Sequence, residues 1–215
     1  MAKQKGIIKL DGTIGGITFY KTTEDGYLAR EKGGVSADKI ANDPAFQRTR
    51  ENGEEFGRAG KAGKLLRNSI RAMLQNASDS RMVGRLTQKM VEVIQEDLTN
   101  PRGQRNVIDG EAELLEGFEF NINGKLGTTL YAPFTGTIDR VAGTLTANIP
   151  AFVPINMLAA PGGATHFKIV SAGAEVDFEN ETFVMDAQAT AVLPWDATAT
   201  AVINLANAVT PNSTH

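Results

Sequence analysis

Apolar residues recur at helical spacing over two stretches of the chain and at alternate positions over a third. Met82, Val83, Leu86, Met90, Val93, Ile94 and Leu98 gather on one helix face. Asn100-Pro101 stops that helix, because a proline ring pushes the residue before it out of the helical region. An earlier helix is predicted from Asp43-Pro44 to about Gln75. Asp43 is a good N-cap, and Pro44 suits the first helical position, where its missing N–H costs nothing. Phe46, Phe56, Ala59, Leu66, Ile70 and Met73 fall near one face of it. Residues 76–80 between the two are polar and turn-like, with Asp79 or Ser80 able to cap the second helix. Helices joined by so short a turn are predicted to pair as an antiparallel hairpin.

From about residue 112 the period changes to two. Phe118-Glu119-Phe120-Asn121-Ile122-Asn123-Gly124 alternates and ends at a turn signal. Residues 145–149, 166–170, 175–178 and 199–203 continue in the same style, rich in Thr, Ala, Val and Asn. Short alternating segments with frequent turn signals predict an antiparallel β-sandwich, Ig-like or jelly-roll-like, rather than βαβ units. Residues 150–161, with Pro154, Met157 and Leu158, read as an apolar loop that covers one end of the sandwich or plugs a neighbour.

Ahead of the helices, residues 6–31 read as a hairpin or short meander with reversals at Asp11-Gly12 and Glu24-Asp25-Gly26. Its strands are rich in glycine and poor in apolar residues. A ribbon of this kind is marginal alone in water, so it is expected to dock on this chain's body or on another subunit. Residues 32–42 read as an extended arm.

The first helix carries an unusual stripe. Gly53, Gly57, Gly60 and Gly63 recur four, three and three residues apart and stack on one side. Each glycine in a helix costs about 0.8–1 kcal/mol relative to alanine. Either something approaches that backbone closely, or the helix breaks near residues 57–63.

Charge adds a second asymmetry. The net charge is −3, but residues 1–105 hold 19 Lys/Arg against 13 Asp/Glu, and residues 106–215 hold 3 against 12. The first part is therefore basic and the second acidic. Arg48, Arg50, Arg58, Lys61, Lys64, Arg67 and Arg71 concentrate the positive charge on residues 44–75, and Glu111, Glu113, Glu116 and Glu119 cluster at the entry to the alternating region. A basic helix can face phosphates or the acidic half of a neighbouring copy. Base stacking needs aromatics interleaved with the charge, and those are few here.

Other chemistry finds little support. The 215 residues include no cysteine, which removes disulfides, thiol nucleophiles and Cys-ligated zinc. The imidazoles are His166 and His215; His166 alternates with Phe167 and Ile169 and reads as an ordinary sheet residue. Gly12-Thr13-Ile14-Gly15-Gly16 lacks the Lys-Ser/Thr and the following helix that a phosphate loop requires. The glutamate cluster lacks the Asp/Asn spacing and sharp glycine turn of a calcium loop. Asp139-Arg140 reads as a surface turn and Trp195 as a packing residue. No enzyme, metal site or cofactor is expected. No apolar run approaches the ~18 residues of a membrane helix, and Met-Ala-Lys-Gln-Lys-Gly opens no signal peptide.

Gly12-Thr13-Ile14-Gly15-Gly16-Ile17-Thr18-Phe19-Tyr20-Lys21, then Gly26-Tyr27-Leu28-Ala29-Arg30-Glu31-Lys32-Gly33-Gly34-Val35, then Asp43-Pro44 and Arg48-Thr49-Arg50-Glu51-Asn52 carry a family resemblance. Over roughly residues 6–75 the chain resembles uncharacterised proteins of Bacteroidota and their phages. The resemblance implies a glycine-rich hairpin, a helical pair and a β-domain, and a phage-associated or surface assembly role. It brings no functional residues.

The expected fold is thus α+β in three parts: a hairpin and arm (1–42), a helical hairpin (43–105) and a β-sandwich (106–215). The expected function is that of a non-enzymatic, self-assembling subunit, capsid or tail, of a phage virion or phage-like extracellular assembly, made in the cytoplasm without a signal peptide. Copies are expected to join head to tail through the glycine stripe, through Arg58, Lys61 and Lys64, and through Glu111, Glu113 and Glu116, with other virion proteins as further partners. A nucleic-acid-binding role for the basic helix 44–75 is the alternative.

Overall fold

The computed structural model describes residues 2–213 and divides into two compact units after Arg50. Both helices and antiparallel strands are present, as the α+β expectation required.

In the first unit β1 (Ala2–Lys3), β2 (Gly12–Ile14), β3 (Ile17–Thr22) and β4 (Gly26–Glu31) form an antiparallel sheet in the order β1-β4-β3-β2. The first reversal is not at Asp11-Gly12. It lies at Gly15-Gly16, where Ile14 pairs with Ile17 across a two-residue loop and Gly15 takes φ 58°. That left-handed value suits glycine, which has no Cβ to clash, and matches the strand twist of a tight hairpin. The second reversal falls where expected, before Gly26, with the Asp25 N–H donating to the Thr22 hydroxyl. The stretch read as an extended arm contains α1 (Ala37–Asn42), whose first turn is capped by the Ser36 hydroxyl accepting from the Lys39 N–H. Leu28 is buried in this sheet, whereas Ile7, Ile8, Ile14, Ile17 and Val35 are exposed.

Asp43 caps as expected, accepting from the Ala45 N–H to start a 3-10 turn at Pro44–Phe46. That turn leads into α2 (Gln47–Ser69), the long helix of the structure. The helix runs unbroken through residues 57–63 and breaks instead at Ile70, before α3 (Arg71–Ala77). Ser69 donates its hydroxyl to the Leu66 carbonyl at 2.8 Å, a local bond that competes with the helix ladder. α4 (Met82–Gln95) follows.

A first core cluster joins Ala59 and Ala62 of α2 to Met82, Leu86, Met90, Val93 and Ile94 of α4, with Leu74 and Val107 closing it. Burying each large apolar side chain contributes about 1.5–3 kcal/mol. Two expected members stand outside it. Phe56 is 61% exposed, and Leu98 is 93% exposed because α4 ends three residues before it.

After a 3-10 turn at Ala112–Leu115 and the short α5 (Leu126–Thr129) come β5 (Thr135–Asp139) and β6 (Thr144–Ile149). Then follow α6 (Pro154–Met157), β7 (His166–Phe167), β8 (Val170–Asp177), β9 (Thr182–Ala189), β10 (Leu193–Pro194) and β11 (Ile203–Ala208). They pair antiparallel as β11-β6-β5, β8-β9 and β10-β7. A second cluster gathers Leu130, Ala132, Ile149, Phe152, Ile203 and Leu205. Residues 150–161 serve it from within this unit through Phe152, with Pro154 also buried.

Two strand expectations fail. Residues 118–124 form no strand: Phe118 and Phe120 turn onto the helical core with ring centroids 5.0 Å apart, and the Ile122 N–H donates to Asp79. The last strand begins only at Ile203, because Thr200 is occupied by Phe152, donating its N–H to the Phe152 carbonyl and accepting the Phe152 N–H at its hydroxyl. No helix among the described residues is long and apolar enough to cross a membrane.

Candidate functional site

The assembly residues expected from sequence occupy different environments. Gly53, Gly57 and Gly60 face open space: a Cβ added at any of them would meet nothing within 4 Å. Gly63 behaves as a small-residue contact should, since a Cβ there would lie 3.7 Å from Leu86 Cγ. The stripe is therefore split between one packed glycine and three open ones.

The basic residues divide in the same way. Arg58 donates from Nη1 to the Gly103 carbonyl at 2.6 Å and to the Arg105 carbonyl at 3.2 Å, so its guanidinium serves this chain's own backbone. Arg50 donates to the carbonyls of Ile40 and Asp43. Arg48, Lys61, Lys64 and Arg71 are exposed. Glu111, Glu113 and Glu116 are exposed too, with the Glu111 carboxylate accepting the Glu113 N–H at 3.4 Å. The structure brings Arg58 into a network and leaves Lys61, Lys64 and the three glutamates on the surface.

Two buried carboxylates, neither singled out by sequence, organise the segment after α4. Glu55, on α2, accepts Arg105 Nε and Nη2, both at 2.8 Å, and the Gly103 N–H at 2.8 Å. The bidentate Arg105 contact, helped by the Gly103 N–H, holds its carboxyl below the usual range against the opposing effect of burial. Asp97 is also buried, which by itself would raise its pKa. Donation from the N–H groups of Asn100, Asn106 and Thr99 and from the Asn100 amide outweighs burial and lowers it to about 2. Asp97 followed three residues later by Asn100 is a local turn signature, legible in retrospect.

Asn207 is a third buried polar hub, 1% exposed on β11. Its amide donates to the Ser171 hydroxyl and the Leu145 carbonyl, and its oxygen accepts the Gln188 N–H. One side chain thereby ties β11 to β6, β8 and β9. These hubs are fully partnered and organise backbone rather than substrate.

The remaining candidates are local. His166 Nδ1 lies 2.9 Å from the hydroxyl of its neighbour Thr165, an exposed pair with no third group orienting it. His215 lies outside the described residues. Trp195 is half-buried and donates its indole N–H to the Leu158 carbonyl at 3.0 Å. Asp139 accepts the Ala142 N–H in an exposed turn after β5.

Exposed apolar side chains are the more informative feature. Gln4 pinches a loop at its base: its amide donates to the Leu10 and Leu28 carbonyls, and its oxygen accepts the Leu10 N–H at 2.9 Å. Ile7 and Ile8 sit at the tip of that loop, 103% and 80% exposed. In the second unit, hollows of about 200 and 340 Å³ meet at Val107, Ile108 and Phe178. No family model matches the chain, and no match is found among curated proteins or solved structures.

Proposed function

We propose that this chain is a non-enzymatic structural subunit of a self-assembling particle, a phage virion or phage-like extracellular assembly, joined head to tail. The observation that carries the reading is the first unit: a four-stranded sheet with Leu28 buried and Ile7, Ile8, Ile14, Ile17 and Val35 turned to solvent. A sheet this poor in buried apolar area gains stability only when a further surface covers it. The antiparallel sheets of residues 135–208 are read as one sandwich tied together at Asn207, and α2 with α4 as a helical hairpin, the two forming the body that carries the sheet.

Sedimentation velocity over a wide concentration range tests this. A size that grows with concentration, in nuclease-treated protein, supports the reading; a monomer throughout overturns it. The second reading, nucleic-acid binding by the basic helix, draws on exposed Arg48, Lys61, Lys64 and Arg71. It requires a monomer whose retained nucleic acid is lost steeply with salt.

A further inference from the structure

We infer that the Ile7-Ile8 loop of one copy seats in the paired hollows around Ile108 and Phe178 of a second copy; the inference rests on the self-assembly proposed above. The loop is built to present its tip. Gln4 ties both its ends through the Leu10 backbone, so residues 5–9 stand as a closed bulge with the two isoleucines outermost. A flexible arm loses its freedom on binding, whereas a loop already closed at its base loses less.

The hollows match the loop in three respects. They are two, they adjoin, and their shared floor of Val107, Ile108 and Phe178 is apolar, extended by Leu65 in the first and Ala112 in the second. Ile108 itself is 57% exposed, so this apolar floor is uncovered. Charge is the third. Lys5 and Lys9 flank the isoleucines in sequence, and Glu181 lines the first hollow while Glu179 lines the second. The rim also holds Arg58, but its guanidinium is engaged by the Gly103 and Arg105 carbonyls, and Lys61. Opposite charge around an apolar seat sets register and partner choice. A loop from one copy in a hollow of the next is a heterologous contact, and it propagates.

The absence of cysteine makes the test clean. Ile8→Cys with Ile108→Cys, oxidised in the full-length chain, should give a ladder of cross-linked species on a non-reducing gel. An intramolecular cross-link alone, or none, overturns the proposal. Two further variants remove one side each: Ile7→Glu with Ile8→Glu spoils the loop, and Ile108→Glu spoils the seat. Each alone should sediment as a monomer, and an equimolar mixture should form dimers and nothing larger, since one good loop then meets one good seat. Unchanged assembly of the loop variant, in a wild-type protein that does assemble, overturns this contact and leaves the assembly reading standing. A wild-type monomer at every concentration overturns both. Circular dichroism confirming a native fold keeps each variant interpretable.

Discussion

The two units of this chain are stabilised differently. Residues after Arg50 build two buried clusters, one from helices and one from strands, and within them Leu86, Met90, Val93 and Ile94 are wholly inaccessible. The first unit has Leu28, a ladder of backbone hydrogen bonds and a loop pinched by Gln4. Backbone bonds contribute only about 0.5–1.5 kcal/mol each net of water, so a ladder without a core leaves little margin. One unit holds its shape by exclusion of water; the other holds a shape whose apolar residues remain outside.

The sharpest way to break that comparison is truncation. Deleting residues 1–35 should abolish association measured by light scattering while leaving the main calorimetric transition in place. Retained association would show that the exposed sheet is irrelevant to assembly. Next comes Leu86→Ala, which removes a side chain seated on Gly63 and should cost about 2–5 kcal/mol in urea unfolding. Leu28→Ala should leave that transition unmoved and show itself only as faster hydrogen exchange in β3 and β4.

Glu55→Gln should cost about 3 kcal/mol, because it leaves the Arg105 guanidinium without its carboxylate in a half-buried site. The same carboxylates set the acid limit of the second unit. Glu55 and Asp97 both have folded pKa values below their unfolded ones, so their contribution is complete above about pH 4 and is lost as pH falls toward 2. Glu55→Gln should flatten that part of the stability-against-pH curve; an unchanged slope would show that Glu55 does not contribute to it. The smallest effect expected is a gain. Gly57→Ala, in open space on α2, should stabilise by about 0.5–1 kcal/mol, and a loss would mean that a partner packs on that face.

The legible parts of the sequence were those where one period served one purpose. Met82, Leu86, Met90, Val93 and Ile94 are buried as their spacing predicted, because α4 has a single apolar partner face. Residues 118–124 misled because alternation reports only which residues are apolar. Phe118 and Phe120 found the helical core as a ring pair, without a neighbouring strand to pair their backbone. In β11 the inward positions are Ile203, Leu205 and Asn207, and a buried asparagine breaks the alternation that would have marked the strand. Of the surface residues expected to act, Lys61 and Lys64 are exposed as a basic stripe requires, but Arg58 could not be told apart from them. Its acceptors, the Gly103 and Arg105 carbonyls, lie 45 and 47 residues away, a separation invisible to spacing.

The pairing of β11 with β6 carries a consequence for time as well as stability. Ile203 meets Ile149 across more than fifty residues of intervening chain, whereas Gly63 meets Leu86 across about twenty. Closing a loop twice as long adds only about 0.6 kcal/mol, but distant pairings must be found before they reward the chain, and such topologies fold slowly. The helical cluster is therefore expected to form early, with β6 waiting beside it for β11. During that wait one edge of β6 is open to any strand nearby, and a crowded population of nascent subunits would supply the wrong ones. Refolding at high protein concentration should accordingly lose yield in a phase slower than the appearance of helix.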